Sequence, residues 1–260
     1  MATHPGTALV TGASSGIGEI YADRLARRGY DLVLVGRNAD KLQDLATSLA
    51  AAHSIKVERI VADLGEAGGL ARVERRLEAE PAITLLINSA GLIGGGPLSA
   101  GNLDDLTGML NINVVALTRL AAVAAKTFAA RGAGAIVNLA SAMAFIDTPA
   151  AAAYAASKAY VLSLTLSLDL DVKPQGVQVQ AVLPGYTRTP MISGGAGLPA
   201  EAVMDADAMV DAALAGLDAG ELVTIPSLES VAAYDDWAAR RVALRPHLSL
   251  SKPASRYLAA

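Results

Sequence analysis

Thr11-Gly12-Ala13-Ser14-Ser15-Gly16-Ile17-Gly18 is the stretch from which the rest of the chain is read. An apolar run, Ala8-Leu9-Val10, precedes it and has the character of a short buried strand. Ile17, Ile20, Tyr21, Arg24 and Leu25 follow at helical spacing. Strand, glycine turn and helix together are the setting in which a glycine loop holds a phosphate. Gly12 permits the tight turn, Gly16 lets backbone approach a pyrophosphate, and Gly18 lets the helix pack near the strand. The helix N-terminus then presents free N–H groups and a partial positive charge to an anion. The spacing is G-x-x-x-G-x-G rather than the commoner G-x-G-x-x-G, so an ordinary glycine turn is the competing reading of this loop taken alone.

Outward from this loop, strands and helices alternate. Leu32–Val35, Val57–Val61, Ile83–Ile87, Ala135–Leu139, Val177–Leu183 and Glu221–Ile225 are predicted as further strands. Helices are predicted from about Asp40 to Ala52, up to about Ala79, from Leu103 to Arg131, from Ala152 to Val172, from Ala206 to Leu217 and from Leu228 to Leu244. Mostly apolar strands joined by helices imply a parallel sheet covered on both faces. With right-handed crossovers, the fold class is α/β: a doubly wound, Rossmann-type sheet of about seven strands. No linker or repeat interrupts the 260 residues, so a single domain is expected, with a tail from about 227 to 260.

Composition narrows the functions. Hydrophobic residues make up 53% and charged residues 18%, enough for a large core. A net charge of −4 argues against a nucleic-acid surface. Without cysteine there is neither a disulfide framework nor thiolate chemistry. His4, His53 and His247 are scattered, so no metal site is expected. No signal peptide or bilayer-length apolar run is visible, and the expected location is the cytoplasm, away from membranes.

In a doubly wound sheet, ligands bind beyond the carboxyl ends of the strands. Those ends carry the glycine loop, Arg37, Asp63, Asn88, Ser141 and Pro184-Gly185. Tyr154 and Lys158 stand four residues apart, hence on one helix face. An ammonium beside a phenol favours the phenolate, which fits the phenol for acid–base work. A half-buried tyrosine next to an exposed lysine has the same spacing.

Thr11–Gly18 (TGASSGIG), Asn88–Gly91 (NSAG), Asn113, Ser141, Tyr154 with Lys158 (YAASK) and Pro184-Gly185 resemble, in order and spacing, the motifs of the short-chain dehydrogenase/reductase family. The resemblance runs over about residues 5 to 192. It implies that Tyr154 exchanges a proton with the substrate oxygen and that Ser141 hydrogen-bonds the same oxygen. It implies that Lys158 holds the nicotinamide ribose and that Asn113 anchors a water behind Lys158. Asn111 competes for that last role; the Asn-Val-Val-Ala-Leu beginning at Asn113 is the closer match. The coenzyme is expected against Gly12, Ser14, Ser15, Gly16, Ile17, Gly18, Arg37, Asp63, Leu64, Asn88, Ala90, Gly91, Tyr154, Lys158, Pro184, Gly185, Thr187 and Thr189. Ser89, Ala144 and Pro226-Ser227 depart from the family pattern, and the tail beyond Ser227 lies outside it.

The second strand ends in Gly36, where an acid would select a free ribose 2′-hydroxyl, and Arg37 follows. Arg37 with Ser14 suits a 2′-phosphate, so NADP(H) is expected in preference to NAD(H). NAD(H) stays open if Arg37 is merely a solvated cation. Asp40, the nearest acid, reads as first-turn charge. Met143, Phe145, Ile146, Tyr186, Met191 and Ile192 are expected to line the substrate site, which favours an apolar carbonyl compound or secondary alcohol as the small-molecule partner. Residues 186–199, with Gly194, Gly195 and Gly197, are expected to form a mobile lid. The two long helices imply, through the resemblance, a homodimer or homotetramer. A non-catalytic coenzyme sensor on the same fold is the first alternative, and a Rossmann-fold methyltransferase the second.

Overall fold

The computed structural model describes residues 4–192 and 198–258, so Gly194, Gly195 and Gly197 of the expected lid lie outside the described residues. The elements run β1 (Thr7–Thr11), α1 (Gly16–Arg27), β2 (Asp31–Gly36), α2 (Ala39–His53), β3 (Val57–Val61), α3 (Ala67–Ala79), β4 (Ile83–Asn88), α4 (Leu103–Leu110), a π-helical segment (Asn111–Ala116), α5 (Leu117–Arg131) and β5 (Gly134–Leu139). They continue with α6 (Ala152–Val172), β6 (Val177–Val182), β7 (Thr187–Arg188), β8 (Met204–Asp205), α7 (Ala206–Asp218), β9 (Val223–Thr224) and α8 (Ala232–Ala243).

Seven parallel strands form one sheet in the order β3-β2-β1-β4-β5-β6-β9. The chain therefore winds one way from β1 to β3 and the other way from β4 onward. The reversal opens a crevice between the carboxyl ends of β1 and β4. The period-2 alternation of each strand feeds two cores. Ala8 and Val10 face Tyr21, Leu25, Leu42, Met209 and Val210 of α1, α2 and α7. Leu9 faces the opposite layer, with Leu77 of α3 and Leu120 and Phe128 of α5. A third cluster packs Val161 and Leu162 of α6 on Ala181 and Leu183.

Several local expectations change. The helix expected from Leu103 to Arg131 is interrupted by the π-helical turn at Asn111–Ala116. Such a turn inserts a residue without breaking the apolar periodicity on either side. Half of the most apolar window of Leu103–Arg131 is buried, so its apolar content serves the core. The last strand is only Val223–Thr224, because it meets just Ala181 and Val182 of β6 at the sheet edge. The tail helix shortens to Ala232–Ala243. β3 is also an edge strand, and its Glu58, Arg59 and Val61 are exposed rather than buried. Asp40 lies in the first turn of α2, capped by Asn38, whose side chain accepts from Lys41 N. The chain divides into two compact units, Met1–Pro226 and Ser227–Ala260, and the sheet belongs to the first. The second carries α8, none of whose residues is buried.

Candidate active site

The glycine loop is held against β4 by Thr11. Its hydroxyl donates to the Ile87 carbonyl at 3.3 Å and accepts from the N–H groups of Ser89 and Ala90, each at 3.0 Å. Gly12 sits at φ +68°, and a Cβ there would come within 2.9 Å of the Ala90 Cα. A Cβ on Gly18 would meet the Gly12 carbonyl oxygen at 2.4 Å. Both positions thus require glycine, and the open N-terminus of α1 is aimed into the crevice.

The crevice holds a cleft of about 260 Å³ lined by Gly12, Ser14, Ser15, Gly16, Ile17 and Gly18, then by Arg37, Asp63, Leu64, Ala90, Gly91 and Thr189. Gly36, Ser89 and Met191 also line it, as do Val35, Ala62, Leu92, Ile112 and Pro190, whose residue types give no signal in the sequence. A Cβ on Gly36 would lie 3.1 Å from Ser14 Oγ, so a side chain there would crowd the Ser14 hydroxyl. Arg37 is 62% exposed, with its guanidinium 3.6 Å from Asp63. Asp63 Oδ1 in turn accepts from Gly65 N at 2.8 Å. The rim accordingly offers one forked cation and one carboxylate, fitted to an anionic nucleotide with polar edges.

A second, adjoining cleft of about 90 Å³ shares Ile17, Ser89, Gly91, Leu92, Thr189 and Met191 with the first. It brings together Ser141, Tyr154, Lys158, Pro184, Gly185 and Thr187. Ser141 caps the short turn after β5, where its Oγ accepts from Met143 N at 3.2 Å and lies 3.4 Å from the Pro184 carbonyl. Tyr154 and Lys158 project from the first two turns of α6. Lys158 is buried; its Nζ donates to the Leu139 carbonyl at 2.8 Å and stands 5.7 Å from the Tyr154 ring centroid.

Burial raises the Tyr154 phenol above its ordinary value, and a hydrogen bond with Ser141 opposes that shift. Burial also pulls the Lys158 ammonium down to about 8. Sequence reasoning expects Lys158 to favour the phenolate; in the chain by itself burial sets the net direction. Removing the phenolate from water outweighs the hydrogen bond with Ser141.

Asn113 is fully buried on the π-helical turn. Its amide is spent on the backbone of Leu92 and, at 3.3 Å, on Ser157 Oγ, while Ser157 Oγ donates to the Tyr154 carbonyl at 2.7 Å. Asn111 points elsewhere, into a separate recess with Leu64, Glu66 and Arg119. Asn88 is not brought to either cleft. Its side chain is buried and donates to Asn138 Oδ1 at 3.0 Å, because the parallel register sets Asn88 opposite Asn138.

Of the apolar residues expected around the substrate, Met191 and Ile192 line the Ser141–Tyr154 cleft. Met143 and Ile146 line a neighbouring groove of about 380 Å³ with Asp147 and Ala155. Phe145 and Tyr186 are 40% and 47% exposed and line neither. Ile93 lines the cleft instead, together with Leu92; the position of this apolar pair directly after the Asn88–Gly91 turn is the available signal.

β7 and β8 pair in parallel, Thr187 with Met204 and Arg188 with Asp205, and close the base of the segment between them. Met204 N donates to the Tyr186 carbonyl at 2.9 Å, and Arg188 Nε donates to Asp205 at 2.8 Å.

A family profile described as short chain dehydrogenase matches residues 6–195. The solved bulky-bulky ketone specific alcohol dehydrogenase of Comamonas testosteroni is 41% identical, with a TM-score of 0.92 over 99% of this chain and 100% of that one. A short-chain dehydrogenase from Sphingobium yanoikuyae, solved in complex with NADPH, is 43% identical, with a TM-score of 0.92 over 97% of this chain and 100% of that one. Very-long-chain 3-oxoacyl-CoA reductase-A of Danio rerio is 32% identical over 188 residues, 71% of this chain. The chain spans only 59% of the length of that curated relative.

Proposed function

This chain belongs to the short-chain dehydrogenases, and from that premise we propose that it is an oxidoreductase moving a hydride between NADP(H) and an apolar ketone or its secondary alcohol. The observation that carries this reading is the meeting of Ser141, Tyr154 and Lys158 in a cleft continuous with the glycine-loop cleft. The bound coenzyme supplies the hydride; the side chains handle the proton. Tyr154 Oη gives its proton to the carbonyl oxygen in reduction and recovers it in oxidation. Ser141 Oγ, already hydrogen-bonded to Tyr154, stabilises the charge developing on that oxygen. Lys158, fixed by the Leu139 carbonyl, keeps further N–H donors for the ribose hydroxyls. Arg37 and Ser14 receive the 2′-phosphate.

Leu92, Ile93, Met191 and Ile192 give the substrate side an apolar wall. Together with the ketone specificity named for the Comamonas testosteroni enzyme, this supports ketones carrying bulky groups on both sides of the carbonyl. Nicotinamide absorbance with NADPH tests the reading on bulky aryl ketones, small ketones and charged sugar acids. Turnover of the bulky ketones is expected. Turnover of the sugar acids alone, or of no carbonyl compound, overturns the proposal.

The protein works as a homodimer or homotetramer. Val115 on the π-helical turn and Tyr160 and Leu170 on α6 are 46%, 40% and 72% exposed, giving apolar surface for a second copy. Light scattering that returned the 26.4 kDa monomer mass at micromolar concentration would contradict this.

A further inference from the structure

Tyr154 must meet Ser141 although the two ride on separate elements, so the position of α6 along its own axis matters. Apolar packing sets that position poorly. Val161 and Leu162 rest on Ala181 and Leu183, and such contacts have no direction. Lys158 adds a tether to Leu139, but its long side chain follows a sliding helix.

Short polar side chains do not. Asn138 Nδ2 donates to Thr165 Oγ1 at 3.0 Å, and Thr165 Oγ1 donates to the Val161 carbonyl at 2.7 Å. Both residues are fully buried. On the other side, Asn138 Oδ1 accepts from Asn88 Nδ2 at 3.0 Å, and that same nitrogen lies 3.5 Å from the Leu117 carbonyl. Leu117 is the first residue after the π-helical turn that carries Asn113. The direction of the line is set at both ends, because the carbonyls of Leu117 and Val161 can only accept. Any slide of α6 strands the Asn138 donor and the Thr165 acceptor where no water reaches them. Thr165 lies seven residues after Lys158, about 10.5 Å along the helix. Asn138 thus holds α6 at Thr165 from the strand position next to Leu139, to which Lys158 is only tethered.

We propose that Asn138 and Thr165 are positioning residues that fix the axial register of α6 on β5 and so hold Tyr154 at Ser141. The inference rests on the proton-transfer role given above to Tyr154.

Thr165→Val keeps the side-chain shape and deletes the hydroxyl, and Thr165→Ser restores the hydroxyl. Thr165→Ala is made in parallel should valine prevent folding. Leu77→Ala in α3, remote from the site, serves as a control for general loss of stability. In Thr165→Val, kcat for ketone reduction is expected to fall about tenfold or more, with the Kd for NADPH within about twofold of the parent. Thr165→Ser should recover most of kcat, and Leu77→Ala should lower Tm without lowering kcat. NMR of ring-labelled tyrosine, assigned with Tyr154→Phe, gives a readout that needs no turnover. The Tyr154 titration should move upward in Thr165→Val as its bond to Ser141 loosens. An unmoved Tyr154 titration overturns the positioning role even if no ketone is ever reduced. Unchanged kcat in a folded Thr165→Val or Thr165→Ala also overturns it, as does a kcat loss that Leu77→Ala reproduces in proportion to its Tm. Absence of turnover in the parent protein overturns the proposed function alone.

Discussion

Asn113 and Leu92 are joined by two hydrogen bonds of opposite sense: Leu92 N donates to Asn113 Oδ1 at 2.8 Å, and Asn113 Nδ2 donates back to the Leu92 carbonyl at 2.9 Å. The pair locks the loop after β4 to the π-helical turn. Gly91 sits beside the lock: a Cβ on it would lie 3.4 Å from Asn113 Oδ1 and 3.7 Å from Lys158 Nζ. Asn113 therefore shapes the wall between the two clefts before it does anything to a water. Asn113→Leu keeps the volume and strands both Leu92 backbone groups, so a loss of about 2 kcal/mol in denaturant stability is expected, with reduced turnover. A variant as stable as the parent would show that the lock carries no weight.

Tyr154→Phe removes one oxygen and keeps the ring. It deletes the proposed proton donor and the partner of Ser141 while leaving the glycine-loop cleft untouched. Loss of kcat by on the order of a hundredfold or more is expected, with little change in the Kd for NADPH. Turnover near the parent value would place the proton elsewhere.

Lys158 gives a pH prediction whose sign is fixed by its burial. The folded pKa is about 8, below the ordinary lysine value of 10.5. Below pH 8 both folded and unfolded chains are protonated, and folding bears the full cost of a buried ammonium. Above pH 8 the folded chain gives up the proton first, so the unfolded state binds more protons and stability rises with pH. The rise ends near pH 10, where unfolded tyrosines ionise while Tyr21 and Tyr154, both raised by burial, do not; that reverses the slope. Urea midpoints of the ligand-free protein should climb between pH 8 and 10. Lys158→Met should flatten the climb and raise the midpoint at pH 7. A flat profile in the parent protein would contradict the burial argument.

These features differ in how far the sequence alone reveals them. Apolar runs ending in Gly12, Arg37, Asp63 and Ser141 place those residues at one edge of a parallel sheet, because strand ends and glycine turns are local signals. The π-helical turn leaves no such trace, since one inserted residue in a helix apolar on several faces keeps the pattern intact. The line from Asn88 through Asn138 to Thr165 depends on strand register across 50 residues and on a helix crossing, neither of which periodicity encodes. That is why Asn88 reads as a coenzyme ligand in sequence, whereas its side chain lies inside the sheet. β7 and β8, two residues each, are too short to show any period.

The choice between the two coenzymes turns on Arg37 and on the crowding between Gly36 and Ser14. Arg37 is mostly exposed and held loosely, 3.6 Å from Asp63, so a phosphate can draw it in at little cost. Arg37→Ala should raise the KM for NADPH about tenfold or more and leave that for NADH nearly unchanged, since a charged hydrogen bond to phosphate is lost in one case only. The reverse design is less simple. An acid at the end of β2 is the usual partner of a free 2′-hydroxyl. Here a Cβ on Gly36 would press on Ser14 Oγ at 3.1 Å. Gly36→Asp alone should therefore weaken both coenzymes, because the new side chain and Ser14 compete for one space. Gly36→Asp combined with Ser14→Gly should recover NADH while NADPH stays weak, because the carboxylate then fits and repels the phosphate. Specificity constants for both coenzymes in the four combinations at positions 14 and 36 decide the matter. If Gly36→Asp alone turns the protein toward NADH as fully as the pair does, the crowding by Ser14 is irrelevant. If the parent protein already prefers NADH, the assignment of Arg37 to the phosphate is wrong.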